Sequence, residues 1–228
     1  MMPIGGSGIL IMLVTMALAG FAQIKVKGAY AKWSKVGVRS GITGAEIAQR
    51  MMRDNDIDDV GLECIAGQMT DHYDPKAKIV RLSQDVFYGN SVASLGIAAH
   101  EIGHVIQHAR GYTPMHLRSF VYPAANIGSK FAPMLILAGI FIQAFQPLIW
   151  VGVWLFAAAT AFTVVTLPVE FDASKRALAT LNTGHIMEQE ELAGAKSVLS
   201  AAALTYVAAA ITSVLYLLHY ISLANRRG

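Results

Sequence analysis

Three long stretches of this chain hold no Lys, Arg, Asp or Glu, and no other feature limits its fold so strongly. They run from Met1 to Ile24, from Phe131 to Val169 and from Ser197 to Asn225. A helix crosses the hydrocarbon of a bilayer with about 20 apolar residues. The first and third stretches therefore each predict one span. The second has 39 residues and predicts two, folded back at Gln146-Pro147, the turn-like pair near its middle. The expected spans are 4–24, 122–145, 148–168 and 199–223. Pro123, Asn126 and Lys130 interrupt the start of the second, where Lys130 can snorkel to the interface. Apolar residues make up 54% of the chain and charged residues 14%. An average soluble domain holds roughly 25% charged residues. That composition excludes intrinsic disorder and argues against a wholly soluble fold.

The first stretch competes with a signal peptide. No positive side chain precedes it, as one would in a signal peptide, so an uncleaved anchor is expected. Lys25, Lys27, Lys32, Lys35 and Arg39 follow it directly. Arg110, Arg118 and Lys130 precede the second span, and Lys175, Arg176 and Lys196 lie between the third and fourth. Positive residues collect on the cytoplasmic side of a membrane. Residues 25–121 and 169–198 are therefore expected there, with both termini outside; Arg226 and Arg227 dissent. The lone Cys64 fits a reducing compartment and excludes an intramolecular disulfide framework or a multi-Cys zinc site. A net charge of +3 gives no ground for nucleic-acid binding.

Between the first two spans the pattern is that of a small α+β domain. Thr43 and Glu46 have the capping-box spacing, and Ile47, Met51 and Met52 supply an apolar face up to about Asp54. Asn55 and Asp56 can take the left-handed conformation that ends the helix. Residues 60–66 read as a strand with Cys64 buried in it, 67–76 as a loop, and 77–82 as a second strand entered through Asp74-Pro75. That second strand could offer its edge to an extended peptide, or be an ordinary core strand. A helix is expected over about 91–109, capped by Asn90 or Ser91 and stopped by Gly111.

Inside that helix stand His100, Glu101, Ile102, Gly103 and His104. Residues four apart share a helical face, with Cβ atoms about 5–6 Å apart. Two imidazoles so placed can converge on one Zn²⁺ ion. Glu101 is placed to take a proton from a water beside the metal, the arrangement of H-E-x-x-H metallopeptidases. A catalytic zinc usually has a third protein ligand. His108 lies about 12 Å along the axis from His100, too far to join the same ion. Glu170, the first charged residue after 39 uncharged ones, is the better candidate, with Asp172 as its alternative.

With these residues in view, the chain resembles the neutral zinc metallopeptidase family of bacterial membrane proteins, the YugP-like group. The resemblance is carried by Asp71-His72-Tyr73-Asp74-Pro75 with Val80-Arg81-Leu82-Ser83, by Ala98 to Gln107, by Thr166 to Ala177 and by Ala201 to Ala210. It implies a mainly α membrane protein of about four transmembrane helices with a small α+β cytoplasmic zincin-like domain. Residue by residue it implies His100, His104 and Glu170 as metal ligands and Glu101 as general base. More distantly the chain is similar to HtpX-like and CAAX-prenyl membrane gluzincins. Those carry Asp four residues after the ligand Glu, where this chain has Ser174. A carboxylate that would orient a ligand histidine is thus missing or supplied by Asp172.

The expected organisation is an anchor (1–24), a cytoplasmic domain with the HEIGH helix (25–121), a transmembrane hairpin (122–168), a cytoplasmic segment with the third ligand (169–198) and a last transmembrane helix (199–228). The expected function is zinc-dependent endopeptidase action on peptides or membrane-protein segments at the cytoplasmic face of a bacterial inner membrane. The rivals are intramembrane cleavage of the site-2 kind and a non-catalytic zinc-binding scaffold. A transporter would carry ionisable residues at mid-membrane, and apart from Lys130 near the start of the second span only His219 stands within the spans, near the end of the fourth. His72, Tyr73, Tyr112, His116 and Arg118 are of the type that stabilises an oxyanion. Partners are a peptide substrate, the lipid bilayer and, through the alanine-rich face of 201–210, a second copy or another membrane protein.

Overall fold

The computed structural model describes residues 6–226. Residues 1–5, where the first expected span begins, and Arg227 lie outside the described residues. Among the described residues four helices are long and apolar enough to cross a membrane: α1 (Gly6–Trp33), α5 (Thr113–Phe141), α6 (Leu148–Thr183) and α7 (Gln189–Asn225). Between α1 and α5 come α2 (Gly44–Arg53), β1 (Gly61–Ile65), β2 (His72–Asp74), β3 (Ile79–Ser83), α3 (Gln84–Phe87) and α4 (Val92–Ala109). The mainly helical membrane architecture with a small sheet is as the sequence predicts.

The helices outrun the expected spans. At 1.5 Å per residue, the 36 residues of α6 reach about 54 Å, against a hydrocarbon core of about 30 Å. The helix that contains most of the second expected span begins at Thr113, nine residues before 122, and continues through Pro123 and Pro133. The fold-back falls where expected, as a short 3-10 turn at Gln143–Phe145 followed by Gln146 and Pro147.

The chain divides into two compact units. One comprises His116–Leu167 with the flanking parts of α1 up to Ala22 and of α7 from Thr205. In it α5 and α6 touch backbone to backbone at Gly128. A Cβ there would lie 2.1 Å from the Leu155 carbonyl oxygen, so only glycine permits the approach. Ala208 and Ala210 of the alanine-rich face are buried. Trp154 and Phe120 are exposed, as lipid-facing side chains should be.

The other unit is Gln23–Met115 with Pro168–Leu204. Its core gathers Ile47 and Met51 of α2, Val80 and Leu82 of β3, Leu95 and Ile102 of α4, and Leu181 of α6, all with no accessible surface. α2 begins with the full capping box: Glu46 N–H donates to Thr43 Oγ1 at 3.3 Å, and Thr43 N–H donates to Glu46 Oε2 at 2.8 Å. Asp56 takes the left-handed conformation just after its end, with φ 57°. The sheet has the order β1-β3-β2, β1 parallel and β2 antiparallel to β3. The segment read as a loop thus contains β2. Because β3 is paired on both sides, it offers no free edge; the edges are β1 and β2. Cys64, expected to be buried, is only partly so, because β1 is an edge strand. Asp74 turns the chain from β2 into β3: its Oδ1 accepts from the Lys76 and Ala77 amides at 3.0 and 3.1 Å. Its Oδ2 accepts from Arg81 at 3.2 Å. α4 starts on Ser91, whose Oγ accepts from Ser94 N–H at 3.0 Å, and stops before Gly111, which has φ 63°.

Candidate metal centre

α4 carries two histidines one turn apart, and their rings meet edge to face with centroids 4.8 Å apart. Opposite them runs α6, brought close by Gly103. A Cβ on Gly103 would stand 2.5 Å from the Ala173 carbonyl oxygen. With only hydrogen at that position the two backbones meet. Glu170, one turn before Ala173, then reaches between the imidazoles. Its Oε2 lies 3.2 Å from His100 Nε2 and 3.5 Å from His104 Nε2. One donor atom from each of the three residues lies within 4.8 Å of the others. Tetrahedral zinc with bonds of about 2.0–2.1 Å sets its donors about 3.3 Å apart, so two imidazoles and this carboxylate fit the ion.

The surroundings are nearly dry. Glu170 is 2% exposed, His104 7% and Glu101 8%. Burial pulls His104 toward its neutral form. The Glu170 hydrogen bond and the charges of Glu101 and Glu170 outweigh that, so its pKa stands above the ordinary imidazole value. Each imidazole is also held from behind. His100 Nδ1 lies 3.1 Å from Ser174 Oγ, and His104 Nδ1 lies 3.1 Å from Gln107 Oε1. Gln107, fully buried, donates through Nε2 to Val169 O and to Asp172 Oδ2, both at 2.8 Å. Arg176 Nε donates to the same Asp172 oxygen at 2.5 Å.

The other candidates fall elsewhere. Asp172 does not join the three donors but lies behind Gln107. Ser174, where distant relatives carry Asp, does face a histidine. His108 stays outside the cluster, its Nδ1 bonded to the Tyr73 hydroxyl at 2.8 Å. Burial, then the charges of Asp59 and Asp74, push Tyr73 up to about 12. His72 is exposed, and its Nδ1–H donates to the Thr70 carbonyl at 2.8 Å. Tyr112 O–H points to the Pro168 carbonyl at 3.5 Å, and the Arg176 guanidinium lies 5.7 Å from its ring centroid. His116 and Arg118 belong to the first-described unit, where Arg118 sits 5.9 Å from the Phe162 ring. Gln107 was not among the residues expected at the site. Its spacing of three from His104, on the same helical face, was the available signal.

Comparison with known proteins identifies the family. A family model described as "Putative neutral zinc metallopeptidase" matches residues 8–225. The chain is 43% identical over 213 residues to "Putative membrane protease YugP" of Bacillus subtilis (strain 168), covering 93% of this chain and 94% of that protein. No solved structure matches it. A match over nearly the whole length, at this identity and with the three donors in place, means that the chain belongs to the neutral zinc metallopeptidase family.

Proposed function

We propose that the protein is a membrane-embedded zinc endopeptidase acting at the cytoplasmic face of a bacterial inner membrane. The observation that carries this reading is the convergence of His100, His104 and Glu170 from two helices onto one point. Three protein ligands leave a fourth position open, as catalytic zinc sites do and structural ones do not. Held by His100, His104 and Glu170, zinc would supply Lewis acidity, acidifying water and polarising the scissile carbonyl. Glu101, beside the first ligand, is the base. Its carboxylate takes a proton as the water oxygen bonds to the carbonyl carbon. It returns that proton to the amide nitrogen as the C–N bond breaks.

Two features favour a site outside the hydrocarbon over intramembrane cleavage. α4 is not among the helices long and apolar enough to span. Its partners in the core are α2 and the mixed sheet. The cytoplasmic assignment of 25–121 and 169–198 rests on the run of Lys25, Lys27, Lys32, Lys35 and Arg39 after the first expected span.

The test is metal content and cleavage of a quenched fluorescent peptide library by purified wild type, Glu101→Gln and Glu170→Ala. Glu101→Gln is expected to keep its zinc and lose about 10²–10⁴-fold in rate. Glu170→Ala should lose the metal. Undiminished cleavage by Glu101→Gln would remove the proposed chemistry. Reporter fusions near residue 60 check the side of the membrane.

A further inference from the structure

We infer that Gln107 is the positioning residue of His104, locked in one amide orientation so that Nε2 of His104 is presented as a lone pair. The inference rests on the metal-centre reading above and goes beyond it. A glutamine amide has an acceptor end and a donor end. Here the donor end is committed: Nε2 faces Val169 O and Asp172 Oδ2, both acceptors, at 2.8 Å. Turning the amide over would set its oxygen, which cannot donate, against a carbonyl and a carboxylate, and would cost this fully buried side chain both of those hydrogen bonds. The oxygen must therefore face His104, and the atom it meets, Nδ1, must carry the proton. A metal ion held beside Glu170 would require a neutral imidazole, which has one N–H; with Nδ1 carrying it, Nε2 would be left as the lone pair on the side where Glu170 stands.

Arg176 completes the chain of contacts from the far side by fixing Asp172. The two ligand histidines are consequently held in different ways. Ser174 can give or take a hydrogen bond with His100 Nδ1 and so fixes no tautomer. Gln107 can only accept from His104. This side-chain relay does for one histidine what a direct carboxylate does in many zinc sites.

The experiment measures Zn²⁺ affinity of the full-length detergent-solubilised protein by chelator competition, together with the melting temperature of each apoprotein. Gln107→Met keeps the volume and removes the acceptor. It is expected to weaken zinc binding by about 10–100-fold. Ser174→Ala should weaken it less. Asp172→Ala should weaken it alone but add nothing in the Gln107→Met background, since both act through His104. The double variant Gln107→Glu/Asp172→Asn again offers His104 an acceptor, now fixed by the amide introduced at position 172, and should bind more tightly than Gln107→Met. Wild-type affinity in Gln107→Met overturns the inference. So does additivity with Asp172→Ala, or failure of the double variant to recover binding when its apoprotein melts like wild type. Absence of zinc from the wild type, or its retention by Glu170→Ala, instead defeats the metal-centre reading itself.

Discussion

Adding one methyl group at Gly103 tests whether the approach of α4 to α6 builds the centre. A Cβ there would stand 2.5 Å from the Ala173 carbonyl oxygen and 3.0 Å from its carbonyl carbon and Cα. Carbon and carbonyl oxygen pack at about 3.3 Å or more, so the helices must part by roughly 0.8 Å. Metal–ligand distances tolerate about ±0.2 Å. The apoprotein of Gly103→Ala can relax by separating the helices; the zinc-bound form must pull Glu170 back against the methyl group. Overpacking of this kind costs about 1–3 kcal/mol. Placed on the bound state, that is a loss of about 5–150-fold in zinc affinity. The matched control is Gly96→Ala on the same helix, whose Cβ would meet the Ala195 Cβ at 3.4 Å, an ordinary contact. It should bind zinc as wild type does and melt no lower, because alanine is about 1 kcal/mol better than glycine inside a helix. Chelator competition and melts of both forms supply the readout. Wild-type zinc affinity in Gly103→Ala would refute the claim that close backbone contact sets the ligand geometry.

Three further expectations concern the scaffold. Thr43→Ala removes the oxygen that accepts from Glu46 N–H at 3.3 Å. It should cost about 1 kcal/mol, a fall of about 2–4 °C in melting temperature; an unchanged melt speaks against the cap. Asp74 has a pKa held below the usual carboxylate range by the Ala77 amide, then by Arg81 and the Lys76 amide. A depressed folded pKa stabilises above the unfolded value and ceases to do so as pH falls through the folded one. Asp74→Asn should therefore melt below wild type at pH 7, with the gap narrowing as the pH falls below about 4; a gap that stays constant as the pH is lowered below 4 contradicts it. Gly128→Ala puts a methyl 2.1 Å from the Leu155 carbonyl oxygen and should destabilise the α5–α6 hairpin by about 1–3 kcal/mol. A melt in detergent at or above the wild-type temperature counts against that contact.

What the sequence announced and what it hid follow from how far each signal reaches. Charge-free runs, the Thr43–Glu46 box and the histidines one turn apart are local patterns, and each appears where expected. Glu170 stands out in the sequence because a charge ending 39 uncharged residues is conspicuous. β2 was not found. Its three residues His72, Tyr73 and Asp74 have no apolar alternation, and they are a strand only through pairing with Arg81, Val80 and Ile79. The early start of α5 is hidden because Pro114 sits in a first turn, where its missing N–H costs nothing, and because Pro123, a break in the sequence pattern, is absorbed by the helix. Gln107 stayed unread because an amide in a helix gains meaning only from what it faces. Here that is Val169 and Asp172, 62 and 65 residues away.

His100 and Glu170 are 70 residues apart in the chain. An ion held by both is therefore a reversible cross-link closing a long loop, absent from the unfolded chain. By mass action it adds about 2.7 kcal/mol of stability when free zinc stands at a hundred times its dissociation constant. Starving the protein of zinc would loosen the fold as well as silence it, making metal supply a control on how long each molecule survives.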